Sequence, residues 1–563
     1  MNSESNTLIL GTIESGESTL GKVPFATWSL INNSNNSGFD DIKFPNDPLS
    51  THSNFEAIEK SYNEYYKYYF PRVVSYLNKI NDTNLSAKYW SVIIAPWLSC
   101  LIQTVLERNM RLSILFEEHG KSNLKLNGIN FLNEESLFED SYDFQVNGMR
   151  NPYFQEWILS RLIELRCKEV PKGWHLVKKS IPFKKLKIQS SDGIKEKSKF
   201  FIKNLFSIYG VKGISFFDNL KFSLTLLLSR KKSIKETLFE SSRIDGLDLW
   251  SLILCSMPRR YKTISSRRNL LSGIFLKKAI IVSGTQLYTE DKQKEYFADF
   301  VEAGGMLYSV QHGSHYGYIK YYTYCNEVEY KHDGFITWGW KKQGHYQGRF
   351  IPLKSPQISE FSKSVKEEKS NDIVFIGTAM PACFDNIMSI TQSNKYLFYR
   401  KDKISFLRSL DSNVFKNLYY RPYFNFEYLY ADEEYVKRNV PSIEILKGDL
   451  HSKLTDSKLV IMDNPGTTLN LCMGANIPTL CFWEEGDYIY TSDGKRLFES
   501  LVQAEILFHC PKKAAEKVNE INDDIQKWWL SETVQKARAD WVDEYALLGS
   551  DWRSDWMEFC KKI

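Results

Sequence analysis

The sequence predicts an α/β chain built on two parallel sheets, and three observations support this. Short apolar runs such as KLVIMD (458–463) and PTLCFW (478–483) read as strands covered on both faces, as parallel sheets require. Between those two runs, Leu469, Cys472 and Met473 recur at helical spacing. A charged segment, KSVKEEKSND (363–372), separates two such strand–helix series. Two Rossmann-like halves follow, each with its loops at strand C-termini and both facing a central cleft.

The elements can be taken in order. TLILGT (7–12) and PFATWSL (24–30) read as strands, and a polar loop follows (32–53). Helical periodicity dominates 55–116. Within it, YWSVIIAPWLSCLIQTVL (89–106) is nearly long enough to span a bilayer. Pro96, Gln103 and several hydroxyls interrupt it, and its continuation (107–116) carries regularly spaced charges, so the expectation is a long buried helix. Lysine-rich stretches (178–203 and 230–235) then bracket the apolar FFDNLKFSLTLLL (216–228). Such a segment is either a solvated insertion or a contact for an anionic membrane or polyanionic acceptor.

Regularity returns with KKAIIVSG (277–284), a helix over DKQKEYFADFVEAG, GMLYSVQHG, and DGFITWGW (333–340), which form a βαβ unit and a further strand. Beyond the linker, DIVFIGT, NLYYRP, SIEIL, KLVIMD, PTLCFW and EILFHC are successive strands. The expected division is an N-terminal Rossmann-like unit, 1–362, with a helical and basic insertion at about 55–276. A C-terminal Rossmann-like unit covers 372–513, and tryptophan-rich helices (514–563) pack back across both.

At 563 residues the chain exceeds one ordinary core, and 43% hydrophobic with 14% aromatic residues makes it globular. A net charge of +5 is uninformative for the chain as a whole, and no nucleic-acid partner is expected. Nine cysteines without CxxC pairs or zinc spacing fit reduced thiols in a cytosol, and MNSESNTLILGT has no secretory-signal pattern.

Two sets of loops carry the chemistry. After KLVIMD, the loop with Asn464, Gly466, Thr467 and Thr468 opens a helix whose first amides attract an anion, usually phosphate. Helix capping alone is the alternative role. Gly377 and Thr378 end the first strand of that half and Arg421 the next, so amides, hydroxyls and a guanidinium could surround a phosphate. In the first half, VQHGSHYGY (310–318) presents Gln311, His312, Gly313 and His315 at a strand end, and Glu327, Glu329 and His332 follow. A histidine or carboxylate there can take a proton from an acceptor hydroxyl. The His-x-x-His spacing falls on a loop, not on one helical face, so no metal site is expected.

TLILGT, KYWSVIIAPWL, VQHGSHYG, the E-x-E of Glu327 and Glu329, TWGW, YYRP, NPGTT with ANIPTLCFW, and AAEKVNEINDDIQKWW occur in this order. Over nearly the whole chain they resemble a transferase family encoded in O-antigen and other surface-polysaccharide gene clusters. That family is similar to GT-B glycosyltransferases. The resemblance implies a bacterial cytoplasmic enzyme, peripheral to the inner membrane where lipid-linked glycans are built. The acceptor would lie on the N-terminal side, and a nucleotide-sugar co-substrate on the C-terminal side, with no metal or other cofactor. It also suggests kinship with transferases using CMP-activated ulosonic acids such as Kdo or pseudaminic acid. One departure stands out: the helix after the glycine loop has no carboxylate for a donor ribose, leaving Asn470, Asn476 or Glu484 for that contact. The alternatives are a nucleotide-sugar epimerase, a polyol-phosphate transferase, or a non-catalytic scaffold of polysaccharide assembly.

Overall fold

The computed structural model describes residues 6–13, 17–18, 20–33, 44–135, 137–185, 208–228, 246–264, 278–380, 383, 387–388, 393–423 and 430–563. Much of the basic segment (186–207 and 229–245) lies outside the described residues. Three sheets, all parallel, organise the chain.

The first comprises β1 (Asn6–Ile9), β2 (Lys22–Pro24), β3 (Leu124–Phe131) and β4 (Trp174–Ile181) in the order β2-β1-β3-β4. The stretch expected as a strand at 24–30 instead ends β2 at Pro24 and turns into a short 3-10 helix, Thr27–Asn33. Here the Trp28 indole donates to the Leu10 carbonyl (3.0 Å) and the Ser29 hydroxyl to Ile9 (3.0 Å), pulling the chain over the end of β1. Region 55–276, expected to be helical and basic, contributes β3 and β4. Leu124 and Leu126 point inward and Lys125 and Asn127 outward, a short period-2 signal.

Helices α1 (His52–Asn81) and α2 (Ala87–His119) cover this region, starting at the Thr51 and Ser86 caps. Among the described residues α2 is the one helix long and apolar enough to cross a membrane, and 94% of its apolar window is buried within the fold. Its charged continuation is also interior: Arg111 donates to Glu107 (2.6 Å) and Asp47 (3.3 Å), so each buried charge is paired.

The second sheet runs β5 (Ile208–Tyr209), β6 (Ala279–Ser283), β7 (Met306–Val310), β8 (Gly334–Thr337) and β9 (Phe350–Pro352) in simple sequence order. The third comprises β10 (Ile373–Ile376), β11 (Leu418–Arg421), β12 (Glu444–Ile445), β13 (Leu459–Met462), β14 (Thr479–Phe482) and β15 (Leu507–Phe508). Its order, β12-β11-β10-β13-β14-β15, starts in the middle at β10, grows to one side and then to the other. The chain direction therefore splits between β10 and β13, and a crevice opens where their following loops diverge.

The C-terminal strand ends of the second and third sheets meet. The Ser314 amide, past β7, donates to the Thr467 hydroxyl, past β13, at 3.2 Å, and Tyr318 Oη donates to the Pro465 carbonyl at 2.6 Å. Two parallel α/β sheets facing each other this way form a GT-B-like architecture. The C-terminal helices tie the two together. In Glu532–Tyr545, the Trp541 indole donates to Asn470 (3.0 Å); in Trp552–Lys562, Trp552 and Trp556 join the core of the second sheet.

Candidate functional site

The helix Thr467–Gly474 begins directly after β13, with Gly466 in extended backbone at its N-cap and no side chain capping it. Asn464 Oδ1 accepts from the Gly466 amide (2.9 Å), which closes the turn and leaves the amides of Thr467 and Thr468 without partners among the described residues. All four residues are half-buried. Unpaired amides at a helix start, at the point where the third sheet's strand order reverses, have the chemistry to hold an anion.

Behind this turn is a buried ionic cluster not anticipated from sequence. Asp463 ends β13, and its Oδ1 accepts from the Thr378 amide at the end of β10 (3.1 Å). Lys403 donates to the Thr378 carbonyl (3.0 Å) and to Asp432 Oδ1 (2.5 Å), and lies 3.5 Å from Asp463 Oδ2. Tyr420 donates to the other Asp432 oxygen (2.5 Å). Burial raises the Asp463 carboxyl to about 6, against the lowering pull of Lys403. The cluster clamps the two loops that diverge at the crevice. Gly377 belongs to it sterically, since a Cβ there would fall 1.9 Å from Tyr420 Oη.

Across from the turn, His312 follows β7. Its Nδ1 lies 2.9 Å from Tyr316 Oη and 3.5 Å from Glu329 Oε1. Glu329 is fully buried and accepts from Tyr316 (2.8 Å) and Tyr288 (2.5 Å). Burial, together with neighbours such as Cys325 and Glu329, holds both phenols well above their ordinary pKa, so both remain donors. Tyr316 spends its one proton on Glu329, so its oxygen must accept from His312 Nδ1–H. In the neutral imidazole this arrangement makes Nε2 the acceptor nitrogen. A quarter of the His312 side chain is exposed, and it lines a small cavity with Lys212, Ser283 and Trp338 at the strand ends of the second sheet. Gly284 permits this close packing: a Cβ there would lie 2.3 Å from Glu329 Oε1 and 2.7 Å from His312 Cε1.

The other sequence candidates have different surroundings. Glu327 pairs with Lys331 (2.5 Å) beside Tyr62 and Tyr66 and is not brought to His312. Gln311 is interior: it accepts from the Trp338 amide (3.0 Å) and the Trp340 indole (2.8 Å) and donates to Gly313 (3.0 Å). Gly313 abuts Thr467 Oγ1, 3.2 Å from where a Cβ would sit. His315 has a left-handed backbone (φ 75°), stacks on Tyr488, and is depressed by burial to about 4, so it stays neutral. Arg421 donates to the carbonyls of Leu446 (3.2 Å) and Gly448 (3.1 Å). Glu484 is exposed, near Asp402 and Asp487, whose carboxyls burial raises to about 6. Asn470 and Asn476 turn their side-chain carbonyls to the indoles of Trp541 (3.0 Å) and Trp529 (2.9 Å). Tyr288, Tyr316, Asp463 and Lys403 are the additions. Tyr316 lies four residues after His312 on the same loop.

Among the described residues no group of three or more His, Cys, Asp or Glu side chains is placed to hold a metal ion. No curated protein matches the chain. It is similar to solved structures of S. aureus MnaA with UDP (11% identity, 76% of this chain and 94% of that one, TM-score 0.32) and Acinetobacter baumannii MurG (10%, 78% and 99%, 0.29). WaaG, a glycosyltransferase involved in lipopolysaccharide biosynthesis, is similar at 10% identity over 77% of this chain and 99% of that one (TM-score 0.24). A family model described as LIC12162 family transferase matches residues 7–559, and the chain belongs to that family of transferases.

Proposed function

We propose that the chain is a glycosyltransferase of bacterial surface-polysaccharide synthesis, moving a sugar from a nucleotide-sugar donor to a glycan or lipid-linked acceptor. One observation carries the reading: an imidazole with Nε2 as its acceptor nitrogen, backed by a buried carboxylate, stands across from unpaired helix-start amides at a sheet switch point. The donor phosphate binds the Thr467 and Thr468 amides and the Thr468 hydroxyl. His312 Nε2 takes the acceptor proton as the acceptor oxygen bonds to the anomeric carbon. The bond from that carbon to the phosphate oxygen breaks, and the helix start stabilises the charge left on the nucleotide. Glu329 stabilises the imidazolium. A CMP-linked ulosonic acid is one donor class in keeping with the sequence resemblance, which does not single out the donor. All nine cysteines are free thiols, which supports a reducing cytoplasmic setting.

Thermal-shift measurements with CMP-, UDP-, GDP- and TDP-linked sugars test the reading, since a ligand bound only by the native state raises the midpoint. One donor class should stabilise the protein and then yield glycoside and free nucleotide. A donor released as an isomerised sugar would instead identify an epimerase. No stabilisation by any donor would reject the proposal.

A further inference from the structure

The helical layer of the third sheet carries a second concavity. A cavity of about 420 Å³ lies between the helices Ser393–Arg408, Asp432–Asn439 and Pro511–Ile521, and none of its lining residues belongs to the candidate site. Its apolar lining is Ile404 and Tyr435, both buried in the core of that sheet. Lys401, Arg408 and Lys512 stand around it, and no carboxylate lines it. Arg408 donates to the Asn439 carbonyl (2.8 Å), which sets its guanidinium across the gap between two of the helices. Among the described residues neither Arg408 nor Lys512 pairs with a carboxylate. Glu433 and Glu520, on the flanking helices, are engaged by Lys437 (3.3 Å) and Lys517 (3.0 Å). A concavity with three cations and no carboxylate in its lining attracts an anion.

The layout of those groups selects the ligand. Lys401 and Arg408 are seven residues apart on one helix, a rise of about 10 Å, so the charges are spread along the groove instead of converging on one point. That spacing suits an extended ligand with repeated acids and not a single phosphate. Between the cations lie Ser405, Ser409 and Asn439, groups that exchange hydrogen bonds with hydroxyls. A nucleobase would need a free aromatic face, and the guanidiniums of Arg400 (4.2 Å) and Arg438 (5.5 Å) already lie over the Tyr435 ring. An amphipathic peptide helix would need a continuous apolar trough, which this polar lining does not offer. One turn before Lys401, Phe398 is 62% exposed and offers an apolar ring face of the kind on which sugars stack. We propose that the groove is a second carbohydrate site, which binds an acidic oligosaccharide by pairing its acids with Lys401, Arg408 and Lys512. The inner side of the same helix holds the Thr378 loop, through Lys403 to the Thr378 carbonyl (3.0 Å) and Tyr399 Oη to the Thr378 amide (3.3 Å). Under the proposed sugar transfer the groove retains an acidic glycan on the helix that backs the crevice; the binding itself does not rest on that reading.

Calorimetric titration of the full chain with tetragalacturonic acid and with neutral maltotetraose tests the inference. The acidic sugar should bind at least about tenfold more tightly than the neutral one, and more weakly as salt rises. Its binding should slow amide exchange in the three helices and leave the turn at 464–468 unchanged. The combined variant Lys401→Gln, Arg408→Gln and Lys512→Gln should lose at least about tenfold in affinity for the acidic sugar, with its melting curve unchanged. Because Arg408 also bonds to the Asn439 carbonyl, the pair Lys401→Gln and Lys512→Gln replaces the triple variant if that one does not fold, and should give a smaller loss in the same direction. Lys536→Gln, at a side chain 75% exposed elsewhere, should change nothing. Equal binding of the two sugars, protection at 464–468 in place of the helices, or variants that bind as the wild type does would overturn the inference. Tighter binding of inorganic tripolyphosphate or of a tetraglutamate peptide would overturn it in favour of a simple anion site or an acidic protein partner. A chain that binds the acidic sugar at these helices yet is stabilised by no nucleotide-sugar upholds the groove and rejects the transfer.

Discussion

Glu329→Gln isolates the proton relay with little change in shape. The carboxylate is 3.5 Å from His312 Nδ1, a separation at which opposite charges attract by about 5 kcal/mol at an effective dielectric of about 20. The imidazole side chain is 25% exposed, and solvent removes roughly half of that, leaving about 2–3 kcal/mol once His312 carries the transferred proton. Glutamine cannot supply the charge, and its amide no longer obliges Tyr316 to donate toward it, so the His312 tautomer is also released. The expected loss in kcat is about 30- to 150-fold, with KM for the donor within about threefold. The assay is nucleotide release under saturating donor and acceptor, alongside a thermal melt showing retained folding. An unchanged kcat in a folded variant, or a loss confined to KM, would refute the relay.

Further outcomes follow from the same contacts. Gly284→Ala forces a Cβ against both Glu329 and His312 and should cut kcat by at least about tenfold while donor affinity, read by calorimetry, stays intact. Thr467→Ala removes the acceptor of the Ser314 amide and should weaken donor binding by about tenfold in the same calorimetric titration. Gln311→Ala strands the Trp338 amide and the Trp340 indole in the interior; urea unfolding should show a loss of about 2–3 kcal/mol. Asp463 titrates at about 6 when folded, against an ordinary value of 3.8, so the folded state binds the extra proton between these values. Its contribution is fully present below about pH 3.8 and is lost as pH rises through about 6, by up to about 3 kcal/mol. Asp463→Asn should flatten that part of the stability–pH curve. Asp402 and Asp487, raised to about the same value, leave a residual slope.

The strands of the two facing sheets were legible wherever both faces are covered, because continuous apolar runs such as AIIVS and LVIM then carry the signal alone. β3 was missed because a half-polar alternation is weak in a region dominated by long helices, and β5 and β9 are too short for any period. The turn at 464–468 was readable because glycine, hydroxyls and a helix start lie together in sequence. The relay was only half readable: His312 follows a strand, but Glu329 and Tyr288 reach it through tertiary packing, so nothing local separates Glu329 from Glu327 two positions earlier. Asn470 and Asn476 gave no local sign of their indole partners because those tryptophans lie more than fifty residues downstream. The Asp463–Lys403–Asp432 cluster was invisible for the same reason, its members coming from three separate elements.

The most direct test is a crystal structure of the chain with the nucleotide of its stabilising donor. The phosphate should lie about 3 Å from the Thr467 and Thr468 amides, with His312 Nε2 facing the gap where an acceptor hydroxyl would enter. A nucleotide seated away from the β10–β13 crevice, or one whose phosphate faces solvent while the helix start stays bare, would contradict the proposed chemistry.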